Sequence, residues 1–123
     1  MIVGMGIDLE EVERVKGAIE RQGERFLKRI YTQKERAYCE QFKDKYERYA
    51  GRFAVKEAAM KALGTGWSRG VRWRDVAVWL EPAGVELRAK AMEWAEQRGS
   101  RGRGTLRLEE RANLVIAEYR LLS

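Results

Sequence analysis

Arg52-Phe53-Ala54-Val55-Lys56-Glu57-Ala58-Ala59-Met60-Lys61-Ala62-Leu63, followed by Gly64-Thr65-Gly66, is the stretch on which the fold turns. It is dense in Ala, Lys, Glu, Met and Leu, all strong helix formers. Gly64 fits a left-handed C-cap, and Gly66 leaves a flexible turn behind it. The pattern predicts a helix from about Tyr46 to Leu63. Upstream of it the apolar spacing is mostly helical; downstream it alternates. Helices gathered early and strands late, with one strand at the start, predict a single α+β domain over 1–123 whose early helices pack on a mainly antiparallel sheet.

Working outward, residues 2–8 alternate loosely around two glycines and read as a short buried strand. From about Leu9 to Ile30 the spacing turns helical, with Val12, Val15, Ile19, Phe26, Leu27 and Ile30 as the apolar stripe and Gly17 and Gly23 as weak points. Thr32-Gln33-Lys34-Glu35 has the form of a capping box, so a second helix starts near Gln33. After Gly66, Val71, Trp73, Val76, Val78 and Leu80 alternate with a phase slip near Asp75 that suits a bulge. Glu81-Pro82-Ala83-Gly84 reads as a turn. Leu87 to Gln97 reads as helix. Leu106–Leu108 and Leu114–Leu122 read as closing strands joined by a polar turn at Glu109–Asn113.

Composition limits the chemistry. The 123 residues carry 25 Lys and Arg against 19 Asp and Glu, a net charge of +6, so an anionic partner is expected. There is no His, which excludes His-based nucleophile pairs, His metal sites and a His general base. The lone Cys39 excludes an internal disulfide and the usual structural zinc site, and favours a reducing, cytoplasmic setting. No apolar run approaches the roughly 18 residues that span a membrane. The N-terminus lacks the basic flank of a signal peptide.

Asp8 stands where the first strand ends. Asp8-Leu9-Glu10-Glu11 has the form of a capping box, so an N-cap is one reading; a carboxylate ligand for a hard metal is the other. Glu57 and Lys61, one turn apart, read either as a helix ion pair or as groups flanking a bound phosphate, the acid through Mg²⁺ and the lysine directly. Arg14, Arg21, Arg25 and Lys28 fall on one face of a continuous first helix, either as a solvated face or as a docking stripe for an acidic helix.

Taken together, Gly6-Ile7-Asp8 and, about 45 residues later, Arg52 to Gly66 resemble the two-part signature of the bacterial holo-acyl-carrier-protein synthases. In outline it is GxD, then an aromatic followed by xxKExxxKAxGxG. Tyr31–Cys39 and Val71–Val76 fit the same pattern. The resemblance implies a Mg²⁺-dependent transferase of fatty acid biosynthesis. It would move phosphopantetheine from coenzyme A to a serine of an acyl carrier protein and release adenosine 3′,5′-bisphosphate. It implies Asp8 and Glu57 as Mg²⁺ ligands and Asp8, Glu57 and Lys61 as the catalytic set, with Glu57 taking the serine proton directly or through a water. It implies Arg52, Lys61, Gly64 and Gly66 as coenzyme A contacts and Arg14, Arg21 and Arg25 as carrier contacts. It also implies a homotrimer whose sites combine the acids of one chain with cofactor contacts from its neighbour. Neither nucleic acid nor membrane is an expected partner.

Two places depart from the pattern. Where the family carries Ser-x-Ser-His or Ser-x-Thr-His before the last strand, this chain has Arg107-Leu108-Glu109-Glu110-Arg111. The usual Lys-Pro after the Pro82 turn is replaced by Gly84-Val85-Glu86. Glu109 and Glu110 are expected to repel a nucleotide phosphate. That makes a non-catalytic carrier-binding relative the first rival; a basic nucleic-acid-binding module, suggested by net charge and the arginines at 101–103, is the second.

Overall fold

The computed structural model describes residues 1–66, 68–80 and 83–123. Strand β1 (Ile2–Glu11) leads into α1 (Val12–Gln22), α2 (Glu24–Ile30), α3 (Gln33–Cys39) and the long α4 (Lys45–Leu63). A 3-10 turn (Trp73–Asp75) precedes β2 (Val76–Leu80) and β3 (Ala83–Leu87); α5 (Ala89–Gln97), β4 (Gly104–Arg111) and β5 (Leu114–Leu122) follow. The strands form two antiparallel sheets, β1-β5-β4 and the hairpin β2-β3. The α+β reading holds.

Helix α4 is the axis of the molecule. It is buried over most of its circumference, from Tyr49 to Leu63, as a central rather than a surface helix must be. Its alanines let β1 come close. A Cβ on Gly4 would stand 2.1 Å from the Ala62 carbonyl oxygen, and one on Gly6 1.9 Å from that of Ala58. Only glycine permits that approach. Val115, Ala117, Tyr119 and Leu121 of β5 complete the core under α4.

Beside this packing lies a buried polar knot. The capping box at Thr32 forms as expected, with Thr32 N–H donating to Glu35 Oε1 at 2.8 Å and Glu35 N–H to Thr32 Oγ1 at 3.2 Å. Glu35 also accepts from Val78 N–H at 2.7 Å and pairs with Lys56 Nζ at 2.9 Å. Lys56, fully buried, donates to the carbonyls of Trp73 and Val76. The first lysine of the α4 motif is therefore a structural tie between α3, α4 and β2.

Several expectations are corrected. The first strand runs to Glu11, and only its even side is covered; Met5, Ile7 and Leu9 are exposed. The first helix is two helices, broken at Gly23 with φ 59°. Asp8 is not an N-cap, since the strand continues past it and Glu11 holds that position without a side-chain bond. The phase slip at Asp75 is a 3-10 turn, closed by Arg72 N–H donating to Asp75 Oδ2, not a bulge. Ala83–Leu87 is a strand, so the following helix starts two residues later than expected. The turn expected at 81–84 falls partly outside the described residues. β4 reaches Arg111, so Glu109 and Glu110 lie in a strand rather than in a turn. Trp67 is outside the described residues; Trp73 stacks on Phe53, Trp79 is exposed, and Trp94 Nε1 donates to the Arg69 carbonyl.

Candidate active site

Three residues singled out from the sequence meet where β1 crosses α4. Asp8 projects from the covered side of β1, and Glu57 and Lys61 from α4 toward it. Lys61 Nζ lies 3.1 Å from Asp8 Oδ1 and donates to the Ile7 carbonyl at 3.0 Å. The lysine thus pairs across to the strand rather than along its own helix with Glu57. Asp8 is 7% exposed, and its Oδ2 is buried without a hydrogen-bond partner.

A fourth group joins them. Ligand oxygens of Asp8, Glu10 and Glu57 all lie within 4.8 Å of one another. Glu10 was missed from the sequence because that reading began the first helix at Leu9. In a helix, positions i and i+2 diverge; in a strand they share a face. Extending the strand by three residues is enough to bring Glu10 beside Asp8.

The crowding of acids shows in their protonation. Burial, followed by the nearby Asp8 carboxylate, pushes Glu10 up to about 8. Burial and then the Asp8 charge push Glu57 up to about 7. The Arg14 guanidinium pulls both back down, and Lys61 does so for Glu57. An orphaned carboxylate oxygen amid all-oxygen donors suits a hard divalent cation, so the residues present fit Mg²⁺.

The remaining predicted residues divide. Arg14 and Arg21 line a groove of about 390 Å³ floored by Ala18, Phe26 and Phe53, next to the acids. Arg25 lies past the Gly23 break, exposed on α2, and Lys28 faces another cavity, so the four-residue stripe is not continuous. Arg52 is five residues from Glu57, roughly 140° around α4. It is 2% exposed, with Nε and Nη1 unpartnered and its guanidinium over the Tyr38 ring. It lines a second cavity of about 1040 Å³, with Lys28, Lys34, Arg72, Arg74 and Arg88 among its walls. A column of stacked rings, Phe26–Phe53–Trp73, runs from the groove to this cavity.

Gly64 has φ 79°, and a Cβ there would meet the Arg98 guanidinium at 2.2 Å. Arg98 donates to the Leu63 carbonyl at 2.8 Å and to that of Val3 at 3.3 Å. Gly64 therefore makes room for a clamp on the end of α4. Gly66, φ 58°, has open space above it. In β4, Glu109 makes exposed ion pairs with Arg107 at 3.6 Å and Arg111 at 3.4 Å.

Comparison with known proteins shows the family. A holo-[acyl-carrier-protein] synthase from Koribacter versatilis is 49% identical over 104 residues, 82% of this chain and 83% of that protein. One from Solibacter usitatus is 62% identical over 78 residues, 63% of this chain and 62% of that protein. The holo-[acyl-carrier-protein] synthase of Neisseria meningitidis has the same fold over the whole of both chains, with TM-score 0.85 and 28% identity. A holo-(acyl-carrier-protein) synthase of Bacillus anthracis, solved in complex with CoA (3′,5′-ADP), superimposes over 98% of this chain and 96% of its own, with TM-score 0.77 and 30% identity. Residues 4–115 match the model of the 4′-phosphopantetheinyl transferase superfamily, and the chain belongs to that superfamily.

Proposed function

We infer that the chain is a holo-acyl-carrier-protein synthase, which transfers 4′-phosphopantetheine from coenzyme A to a serine of apo-acyl carrier protein. The observation that carries this is that Glu57 and Lys61, some 50 residues further along the chain, both meet the buried Asp8: Lys61 pairs with its Oδ1, and Glu57 brings a carboxylate oxygen within 4.8 Å of it.

Asp8 and Glu57 are the residues that would hold Mg²⁺. When bound, the ion neutralises and orients the diphosphate of coenzyme A. Glu57 is placed to accept the proton of the attacking serine. The serine oxygen forms a bond to the β-phosphorus as the bond to the leaving adenosine 3′,5′-bisphosphate breaks. Lys61, with half its side chain exposed, can turn from Asp8 to the charge on the transferring phosphoryl group. The open turn at Gly66 admits a phosphate close to the backbone.

Arg14 and Arg21 flank the apolar groove at Phe26 and Phe53, which suits an acidic carrier that delivers its serine beside the acids. Arg25, exposed on α2, is outside the residues that line this groove. Arg52 faces away from Glu57, so the acids and the buried guanidinium of one chain cannot grip a single small ligand. That separation supports a homotrimer, with the acids of one chain and the Arg52 side of its neighbour sharing each coenzyme A. The exposed Met5, Ile7 and Leu9 of β1 offer an apolar face for such contacts. A buried free thiol at Cys39 suits the cytoplasm, and among the described residues no helix is long and apolar enough to cross a membrane.

The test is the intact mass of an apo-acyl carrier protein after incubation with this chain, coenzyme A and Mg²⁺. The carrier should gain one phosphopantetheine, and EDTA should prevent it. Asp8→Asn and Glu57→Gln should each abolish the gain with the circular dichroism spectrum unchanged. Near-normal turnover in either variant would overturn the assignment of the metal ligands.

A further inference from the structure

The turn that leaves α4 is held from behind by α5. That helix is fixed to the core by Ala91 and Ala95, both fully buried. Trp94 and Arg98, one turn apart at its end, lie on the same side. Arg98 Nε donates at 2.8 Å to the Leu63 carbonyl, one of the groups that a helix end leaves without an intrahelical partner. Its Nη1 reaches the Val3 carbonyl of β1 at 3.3 Å. Trp94 Nε1 donates to the Arg69 carbonyl at 3.2 Å, and the Arg69 guanidinium lies 5.8 Å from the centre of the Trp94 ring. One side chain thus holds the backbone where the turn begins, and the other holds it near where the turn ends. Gly64, Gly66, Arg69 and Gly70 have φ of 79°, 58°, 60° and 82°. Arg69 alone of these four has a Cβ, and such a residue stays left-handed only where its surroundings over-determine it. A Cβ on Gly70 would stand 3.4 Å from Lys90 Cγ, so α5 backs that position as well.

We propose that Arg98 and Trp94 are positioning residues for the donor: from α5 they hold both ends of the turn that receives a phosphate of coenzyme A, and so set how tightly coenzyme A binds without touching it. This rests on the reading of the open Gly66 turn given above, and adds what keeps that turn in its receiving shape. A binding backbone that samples other conformers loses apparent affinity in proportion to the time spent in them. Fixing both ends from a buried helix removes that loss before the donor arrives. The reacting groups are held by other means. Asp8 and Glu57 are brought together by the close β1–α4 contact at Gly4 and Gly6, and Lys61 by its bonds to Asp8 and the Ile7 carbonyl. Loss of either α5 side chain should therefore fall on donor binding and spare the chemical step.

The experiment is steady-state carrier modification at varied coenzyme A, and separately at varied carrier, for wild type, Arg98→Met, Arg98→Lys and Trp94→Phe. Arg98→Met keeps the reach of the side chain and loses both bonds. Trp94→Phe keeps a ring beside Arg69 and loses the N–H. Each should raise the KM for coenzyme A about three- to tenfold, the range for loss of one or two ordinary hydrogen bonds. Turnover should stay within about twofold of wild type, and the KM for the carrier should not move, as for an interaction made equally in ground and transition states. Arg98→Lys, which can still serve one carbonyl, should fall between wild type and Arg98→Met. A role confined to stability would instead lower the folded fraction, read by circular dichroism, and leave the KM where it was. A wild-type KM for coenzyme A in either folded variant would strike that residue from the role. In both, it would overturn the proposal while the transferase reading stands. A fall in kcat with the KM unchanged would overturn it too. Should Arg98→Met fail to fold, Arg98→Lys and Trp94→Phe carry the same test. No transfer by wild type would bring down the transferase reading and this proposal with it.

Discussion

At the scale of single residues, the chain carries buried charge in two places with opposite consequences. Glu35 and Lys56 are closed on each other and on backbone groups, and burial pulls the Lys56 ammonium down from its ordinary value. Removing one partner strands the other. Glu35→Leu should cost about 3–5 kcal/mol in urea denaturation, the range for an uncompensated buried charge; a loss below about 1 kcal/mol would mean that Lys56 is held neutral. The acid cluster, by contrast, is frustrated without metal. Glu10 and Glu57 ionise at about 8 and about 7 in the folded chain but near 4.5 when unfolded. Between 4.5 and those values the folded state binds more protons, so stability falls as pH rises through that window. In EDTA the melting temperature should drop toward pH 8, and less steeply in Glu10→Gln. An identical slope in the two proteins would show that Glu10 is not raised.

At the scale of elements, the site depends on how closely β1 lies on α4. Gly6→Ala places a methyl 1.9 Å from the Ala58 carbonyl. The strand must lift, at a cost of about 1–3 kcal/mol typical of overpacking, and Asp8 must part from Glu57. Carrier modification should fall much further than stability does, by the mass assay set against urea melts; unchanged transfer would mean that the cluster tolerates the shift. This contact also marks where the sequence was legible. Helix α4, its Gly64 cap and the Thr32 box were readable because local propensity and tertiary packing agree there. The boundary of β1 was not. Asp8-Leu9-Glu10-Glu11 satisfies a helix-start pattern, and only pairing with β5, Leu9 opposite Ile116 and Glu10 opposite Val115, keeps it extended. That hidden boundary is why Asp8, Glu57 and Lys61 could be singled out while Glu10 could not. β3 was missed for a similar reason: Ala83-Gly84-Val85-Glu86-Leu87 has little strand preference of its own and is held by β2.

At the scale of the whole molecule, Met5, Ile7 and Leu9 form an apolar row on the open side of the sheet. If that row builds the trimer, Ile7→Glu should shift sedimentation to the 14.3 kDa of one chain; an unchanged assembly would place the contact elsewhere. The same strand has another exposure. β1 is the edge of its sheet, ten residues long, and an open edge is a template on which a stray strand can add. Two of its carbonyls, Val3 and Ile7, are taken by Arg98 and Lys61. Lys61 thus also sets a charge on this edge, which by itself should discourage a stray strand. Replacing it by an apolar residue should therefore lower the fraction of the protein that stays in solution, a loss to be separated from any loss of turnover.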